Sequence, residues 1–235
     1  MKQTIALVDE RIDEACVRGL SEDGFSVFRL PSADGVNSAI ASHTDILTFK
    51  LEDKLFFSRK YFEQKISKGT SLPLASIILT EECQGESYPK DAIFNGLLMG
   101  EKLFCKKDTF SNEILSYAIP RGIEIIGVNQ GYPACTVLKI SDDAAITADC
   151  GMEKALLSAG ISVLKIKGGG VSLPPYEYGF IGGAGAVYGE TVYFLGDLNT
   201  HPDAQAISSF IEENGKKVKS LSKNPLTDLG GIVFI

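Results

Sequence analysis

Cys135 is the candidate nucleophile of this 235-residue chain. It follows Asn129-Gln130-Gly131-Tyr132-Pro133-Ala134, so the amides of Asn129 and Gln130 and the phenol of Tyr132 stand near it as ligand-binding groups. The plainer role for Cys135 is a small apolar residue packed at the start of a strand. Cys150 follows Asp149 at a strand-to-helix transition, where a helix N-terminus lowers a thiol pKa. Asp149 itself reads as the helix N-cap. His43, in Ser42-His43-Thr44-Asp45, is a candidate base two residues from a carboxylate and just ahead of a strand. Its alternative is a surface histidine at a strand end. His201 adjoins Pro202 and reads as part of a helix start. Asp228 lies beside Gly230-Gly231, a pair that permits close backbone approach, and there it is placed to hold an amine or guanidinium. A turn aspartate is the simpler alternative. Glu177 and Tyr178, with Tyr176, precede the equivalent strand of another repeat and point to the same mouth.

Other motifs are excluded. The glycine-rich residues 182–189 lack the dinucleotide fingerprint and do not open into a helix, and Lys167-Gly168-Gly169-Gly170 lacks the trailing Lys-Ser/Thr of a P-loop. No His/Cys/carboxylate group has metal-ligand spacing along the chain, so neither a metal nor a cofactor is expected.

The elements that must position these residues recur. Each unit reads as strand, tight charged turn, strand, helix closed by glycine, then a third strand. The clearest copy covers residues 135–166: an apolar run, a turn at Ser141-Asp142-Asp143, a second run, a helix ending at Gly160, and a third run. Other copies have turns at Glu52-Asp53, Gly100-Glu101 and Gly189-Glu190, and helices ending near Gly69, Gly122 and Gly215. Turn-to-turn spacings of about 40–50 residues are those of an array or propeller. The second strands alternate, with Leu55 and Phe57, or Val192 and Phe194, on one face, which predicts half-buried strands. Residues 77–80 are nearly continuous in apolar character and predict a strand buried on both faces. Asp108 and Thr200 are the expected helix-start signals of their units. The chain ends one strand into a fifth copy, at residues 230–235, and begins with that copy's remaining strand, helix (about 11–23) and strand. Pairing strands from the two termini would remove the last open sheet edges. The fold expected is therefore α/β: five ββαβ units in one domain, residues 1–235, closed as a five-bladed propeller whose first strands line the middle.

Composition sets outer bounds. Hydrophobic residues make up 44%, enough for a core, and the net charge is −7. An acidic chain with scattered Lys/Arg pairs argues against nucleic-acid binding. No apolar run approaches the ~20 residues of a membrane span. Asp9, Glu10 and Arg11 interrupt any secretory core, and the five cysteines form no C-x-x-C pair; a cytoplasmic protein with reduced thiols is expected.

Five such units, closed across the termini, resemble the pentein fold of guanidine-group-modifying enzymes. That superfamily contains deiminases, dimethylarginine hydrolases, amidinotransferases and non-catalytic ribosome anti-association factors. The resemblance implies a thiolate that attacks a guanidinium carbon, a histidine as acid and base, and carboxylates holding the guanidinium, one of them beside a Gly-Gly pair. Residues 230–235 resemble the segment that carries the nucleophile in agmatine deiminases, but Phe234 stands in its place. Gly179-Phe180-Ile181-Gly182 likewise stands where a Gly-His-x-Asp segment is expected. The first functional reading is thus a diverged pentein that binds a small polar or cationic metabolite without the usual Cys/His pair. The second is an enzyme acting on a guanidino or amide-like carbon through Cys135, assisted by Asp228 or His43. The third is a protein-binding ring that engages ribosomes.

Overall fold

The computed structural model describes residues 3–235. Fifteen strands form five three-stranded sheets. The first sheet contains β1 (Ile5–Asp9) and β2 (Ser26–Leu30), and is completed by a strand from the far end of the chain. The next three are β3 (Thr48–Leu51), β4 (Lys54–Ser58) and β5 (Ile77–Thr80); β6 (Leu97–Met99), β7 (Lys102–Cys105) and β8 (Glu124–Gly127); and β9 (Val137–Lys139), β10 (Ala144–Thr147) and β11 (Ser162–Lys165). The fifth holds β12 (Gly185–Tyr188), β13 (Thr191–Phe194) and β14 (Lys217–Ser220), after which β15 (Val233–Phe234) returns to the first sheet. In the four sheets built from consecutive strands, the first strand pairs antiparallel with the second, and the second parallel with the third. A helix makes the parallel crossover, as that geometry requires.

The two ends of the chain meet. Ala6 lies opposite Phe234 and Leu7 opposite Val233, and Ile5 and Ile235 exchange backbone hydrogen bonds of 2.8 and 2.9 Å. The termini therefore build one sheet together, as the split repeat predicts.

The central strands differ from expectation in a way that explains the packing. They are buried on both faces rather than half-buried, because alternate residues feed different cores. Leu55 and Phe57 of β4 pack with Leu7 of β1, while Phe56 packs with Leu103 of β7. Phe104 joins Ala145 of β10; Ile146 joins Phe194 of β13; and Tyr193 joins Ala6 and Val8 of β1. Five sheets stacked in a row would have four such interfaces. Here there are five, and the last joins the fifth sheet to the first. Each large apolar side chain buried in these seams contributes about 1.5–3 kcal/mol. The third strands sit at sheet edges, so β5 is only partly buried along Ile77–Leu79, contrary to its continuous apolar sequence.

Helices follow the local code with two corrections. Those closing the five crossovers all stop at a glycine of positive φ: Gly24, Gly69, Gly122, Gly160 and Gly215. Asp149 caps its helix, accepting from Met152 N at 2.7 Å. In the unit of β6–β8, however, the cap is Ser111 rather than Asp108, and in that of β12–β14 Asp203 rather than Thr200 flanks the helix. In both cases the helix begins a few residues later than the sequence signal. No helix among the described residues is long and apolar enough to cross a membrane.

Candidate active site

The site is built from the five segments that lead into the first strands. Two are single helical turns, α1 (Thr44–Leu47) before β3 and α2 (Pro133–Thr136) before β9. Pro133 suits the first helical position because its missing N–H has no partner there. The others are the turn around Asn95, the 3-10 turn Gly182–Ala184, and the loop from Asp228 to Gly231. These segments touch in a circuit. Asn95 Nδ2 donates to Asp45 O at 3.3 Å, and Asn95 Oδ1 accepts from Ala134 N at 2.9 Å. Gly182 presses so close to the next segment that an added Cβ would lie 2.3 Å from Ala134 O. Gly183 O accepts from Leu229 N and Gly231 N at 2.9 and 2.8 Å, and the Thr44 hydroxyl donates to Gly230 O.

Inside this circuit the candidate residues converge. The Cys135 thiol donates to Asp45 Oδ2 at 2.6 Å, and Asn95 Nδ2 donates to its sulfur at 3.2 Å. His43 is 1% exposed, against the surface position expected for it. The cause is its place at the head of α1, which turns the ring inward between three carboxylates. Nδ1 lies 3.7 Å from Asp228 Oδ1 and 3.9 Å from Asp45 Oδ1; Nε2 lies 4.0 Å from Asp9 Oδ2. Neither ring nitrogen has a hydrogen-bond partner among the described residues, and neither has Asp45 Oδ1. Buried polar atoms are nearly always paired, so these orphans call for an explanation.

Asp228 is equally buried and no simple turn residue. Its Oδ2 accepts from Phe180 N at 2.9 Å and its Oδ1 from Gly230 N at 3.1 Å. An added Cβ on Gly183 would sit 1.8 Å from Asp228 Oδ1, so only glycine lets the carboxylate reach this place. Asp9, at the end of β1, accepts from Arg11 Nε at 2.9 Å and Nη2 at 2.6 Å.

Burial dominates the electrostatics. It raises the carboxyl pKa of Asp45 to about 6, opposed by the hydrogen bonds from Cys135 and Asn95. Burial likewise raises Asp228 to about 6, opposed by His43. It pushes the Cys135 thiol well above its usual range, and the charges of Asp45 and Asp228 push it further. His43 is held below its ordinary value by burial, against the pull of Asp228 and Asp9. The resting site thus favours a neutral thiol and a neutral imidazole beside Asp45 and Asp228, which form no ion pair with a lysine or arginine among the described residues.

Above this floor opens a cavity of about 430 Å³. His43, Cys135 and Asp228 lie at its base, and Asp91 and Glu177 add two more carboxylates to its lining. Tyr132, Tyr176, Tyr178 and Phe180 form aromatic walls, and no lysine or arginine among the described residues lines it. Tyr132 is fixed by donating to Asp91 Oδ1 at 3.0 Å. Residues of β6, β9, β12 and β15 line a second opening of about 560 Å³, which Asp45 reaches from the other side.

Of the residues singled out from sequence, the structure gathers Cys135, His43 and Asp228 at the base and Tyr132, Glu177 and Tyr178 on the walls. Cys135 sits on α2 rather than at a strand start. Asn129 is exposed and outside the lining; Gln130 is turned to Asp149 Oδ2 at 2.7 Å and to Tyr132 N at 3.1 Å. Cys150 is exposed, and His201 accepts from Asp203 N, the capping role its position predicts. Sequence reasoning missed Asn95, Asp91 and Asp9, and gave Asp45 no role of its own. The signal for Asn95 was its place in the repeat: it stands two residues before β6, as Cys135 stands two before β9. The absence of metal-ligand spacing along the chain also concealed a cluster made through space by His43, Asp45 and Cys135.

The model of a Family of unknown function (DUF6873) matches residues 7–233, and the chain belongs to that family. No curated protein matches it by sequence. Among solved structures it is similar to an agmatine deiminase of C. jejuni, at 8% identity and a TM-score of 0.48, covering 94% of this chain and 88% of that one. A substrate-bound form of that deiminase gives 8%, 0.49, 94% and 88%. SxtG, an amidinotransferase from Microseira wollei in the saxitoxin biosynthetic pathway, gives 11% identity and 0.49, covering 88% and 72%.

Proposed function

We propose that this member of the DUF6873 family is a propeller of the pentein type that takes a cationic guanidino or amidino compound into its cavity and attacks the central carbon with Cys135. The observation that carries this reading is the meeting of one thiol, one imidazole and two carboxylates under an acidic, aromatic-walled cavity. The five seams between sheets and the pairing of the termini support the closed ring.

Asp228, already oriented by two backbone N–H groups, receives the N–H groups of the planar cation. A positive charge arriving beside Cys135 reverses the penalty that burial and the two carboxylates impose on the thiolate. The thiol proton passes to Asp45 Oδ2, 2.6 Å away. A carboxyl poised near pH 6 can both accept and return a proton. As the sulfur–carbon bond forms and a carbon–nitrogen bond breaks, that proton leaves on the departing ammonia or amine. An amidino group remains on Cys135. Water then gives one proton to His43, neutral by virtue of its burial, and adds to the carbon. As the ureido carbonyl forms, its hydroxyl proton is lost to solvent; the thiolate is expelled and recovers the proton held by His43, and the ureido product leaves. An amine in place of water makes the reaction a transfer.

The test is release of ammonia or amine from agmatine, arginine and methylguanidine, with binding measured in parallel by calorimetry. Turnover by the wild type, abolished in Cys135→Ala with binding retained, is expected. Binding without turnover would leave a metabolite-binding protein, the reading favoured by the strongly raised thiol pKa. No binding of any cationic guanidine or amidine would contradict both.

A further inference from the structure

One ring nitrogen of His43, one carboxylate oxygen of Asp45 and Sγ of Cys135 lie within 4.8 Å of one another. Two separate helical turns deliver them, so the cluster is a product of the fold and not of local sequence. His43 is 1% exposed and unpartnered at both nitrogens, and Asp45 Oδ1 has no partner either. Unpaired buried donors and acceptors call for an explanation, and a bound ion is one. A thiolate, an imidazole and a carboxylate together suit zinc, a borderline-soft ion that takes S, N and O ligands in tetrahedral sites.

We propose that His43, Asp45 and Cys135 bind one Zn²⁺ ion, with the fourth coordination position open to the cavity. Nδ1 is the metal-facing nitrogen, because it lies on the Asp45 side of the ring at 3.9 Å. Nε2 then lies on the side of Asp9, whose Oδ2 is 4.0 Å away and is held in place by Arg11. Closing that gap on metal binding would give the carboxylate–histidine–metal relation that orients a ligating imidazole. Binding forms a sulfur–zinc bond and releases the thiol proton to solvent. Zinc also occupies the position that a guanidinium would take above Cys135, so the two exclude each other. That last point rests on the function proposed above; the zinc site itself rests only on the cluster.

Zinc titration in competition with a chromophoric chelator tests it, with cobalt as a spectroscopic stand-in. The wild type should bind one equivalent and give a thiolate-to-cobalt charge-transfer band. Cys135→Ser and His43→Ala should each weaken binding by about 100-fold or more, and Asp9→Asn by about tenfold. Cys135→Ser should also lose the band, while Cys83→Ser and Cys150→Ser, which alter exposed thiols, should change neither reading. Unfolding midpoints near that of the wild type would show that the losses are local. Absence of tight binding by the wild type, persistence of the band in Cys135→Ser, or its loss in the two surface variants overturns the site. One equivalent of zinc that agmatine does not displace keeps the site and counts against the guanidine reading alone.

Discussion

The two ends of the first strands follow different rules. At one end they turn into the second strands, and three of the four hairpins repeat a single geometry: Glu52, Gly100 and Gly189 take φ of 55°, 58° and 57° at the first central residue. At the other end the same strands are entered by five unlike segments, carrying His43 and Asp45, Asn95, Cys135, Gly182-Gly183, and Asp228 with Gly230-Gly231. The turn end is where a repeat must agree with itself for strands to pair. The entry end tolerates divergence because each segment needs only to touch its neighbours, and a site forms from their differences. Conformation repeats where strand pairing is at stake, and chemistry accumulates where it is not.

The largest effects should fall at the entry end. Asp228→Leu removes the acceptor for Phe180 N and Gly230 N and should destabilise the fold by about 2–6 kcal/mol, since each orphaned donor costs about 1–3 kcal/mol. Denaturant unfolding reads this directly, and an unchanged midpoint would deny Asp228 its structural part. Gly183→Ala comes next. Its methyl group must displace the Asp228 carboxylate, with a loss of about 1–3 kcal/mol and at least about tenfold weaker guanidine binding. Gly189→Ala, at a turn with open space around it, should cost only the strain of a positive φ and leave binding untouched.

Site carboxyls also give the pH dependence its sign. The pKa values of Asp45 and Asp228 in the folded protein, about 6, lie above the ordinary value of 3.8. The folded state therefore holds their protons more tightly, and this contribution to stability is complete below about pH 4 and lost as pH rises through about 6. Asp45→Asn removes one of the two groups. It should flatten the fall and, above pH 7, raise stability by about 1–3 kcal/mol, at the expense of activity. Chemical unfolding of both proteins from pH 4 to 8 isolates this term from salt-bridged carboxyls such as Asp23, whose pKa is lowered by Lys219 and which act in the opposite sense. Parallel curves for the two proteins would refute it.

The smallest effect belongs to the turn end. Glu52 holds a positive φ where its counterparts are glycine, which favours glycine by about 1 kcal/mol. Glu52→Gly should raise the unfolding midpoint without altering binding; a lower midpoint would break the equivalence of the hairpins.

The contrast between the two ends also marks what sequence could reveal. Turns, helix-closing glycines and the split fifth unit were legible because they are set by local φ/ψ demands and by alternation. The double burial of the central strands was not, since Leu55 and Phe56 look alike in hydrophobicity and differ only in which neighbour they meet. Cys135, His43 and Asp228 drew attention by residue type. Their meeting was not legible, because it depends on three units converging, and burial of His43 follows from a helical turn of only four residues. Asn95 carries no distinctive chemistry in the sequence and acquires its role only beside the thiol.

Charge-selective alkylation tests the central claim most directly. A haloacetamidine, which carries a cationic amidinium, and a neutral haloacetamide of the same size are reacted with the protein, and the modified cysteines are mapped by mass spectrometry. The amidinium should label Cys135 much faster than the neutral reagent does, whereas the exposed Cys83 and Cys150 show no such preference. Labelling of Cys83 and Cys150 alone by both reagents, with Cys135 untouched, would contradict an acidic site that draws a cation onto a buried thiol.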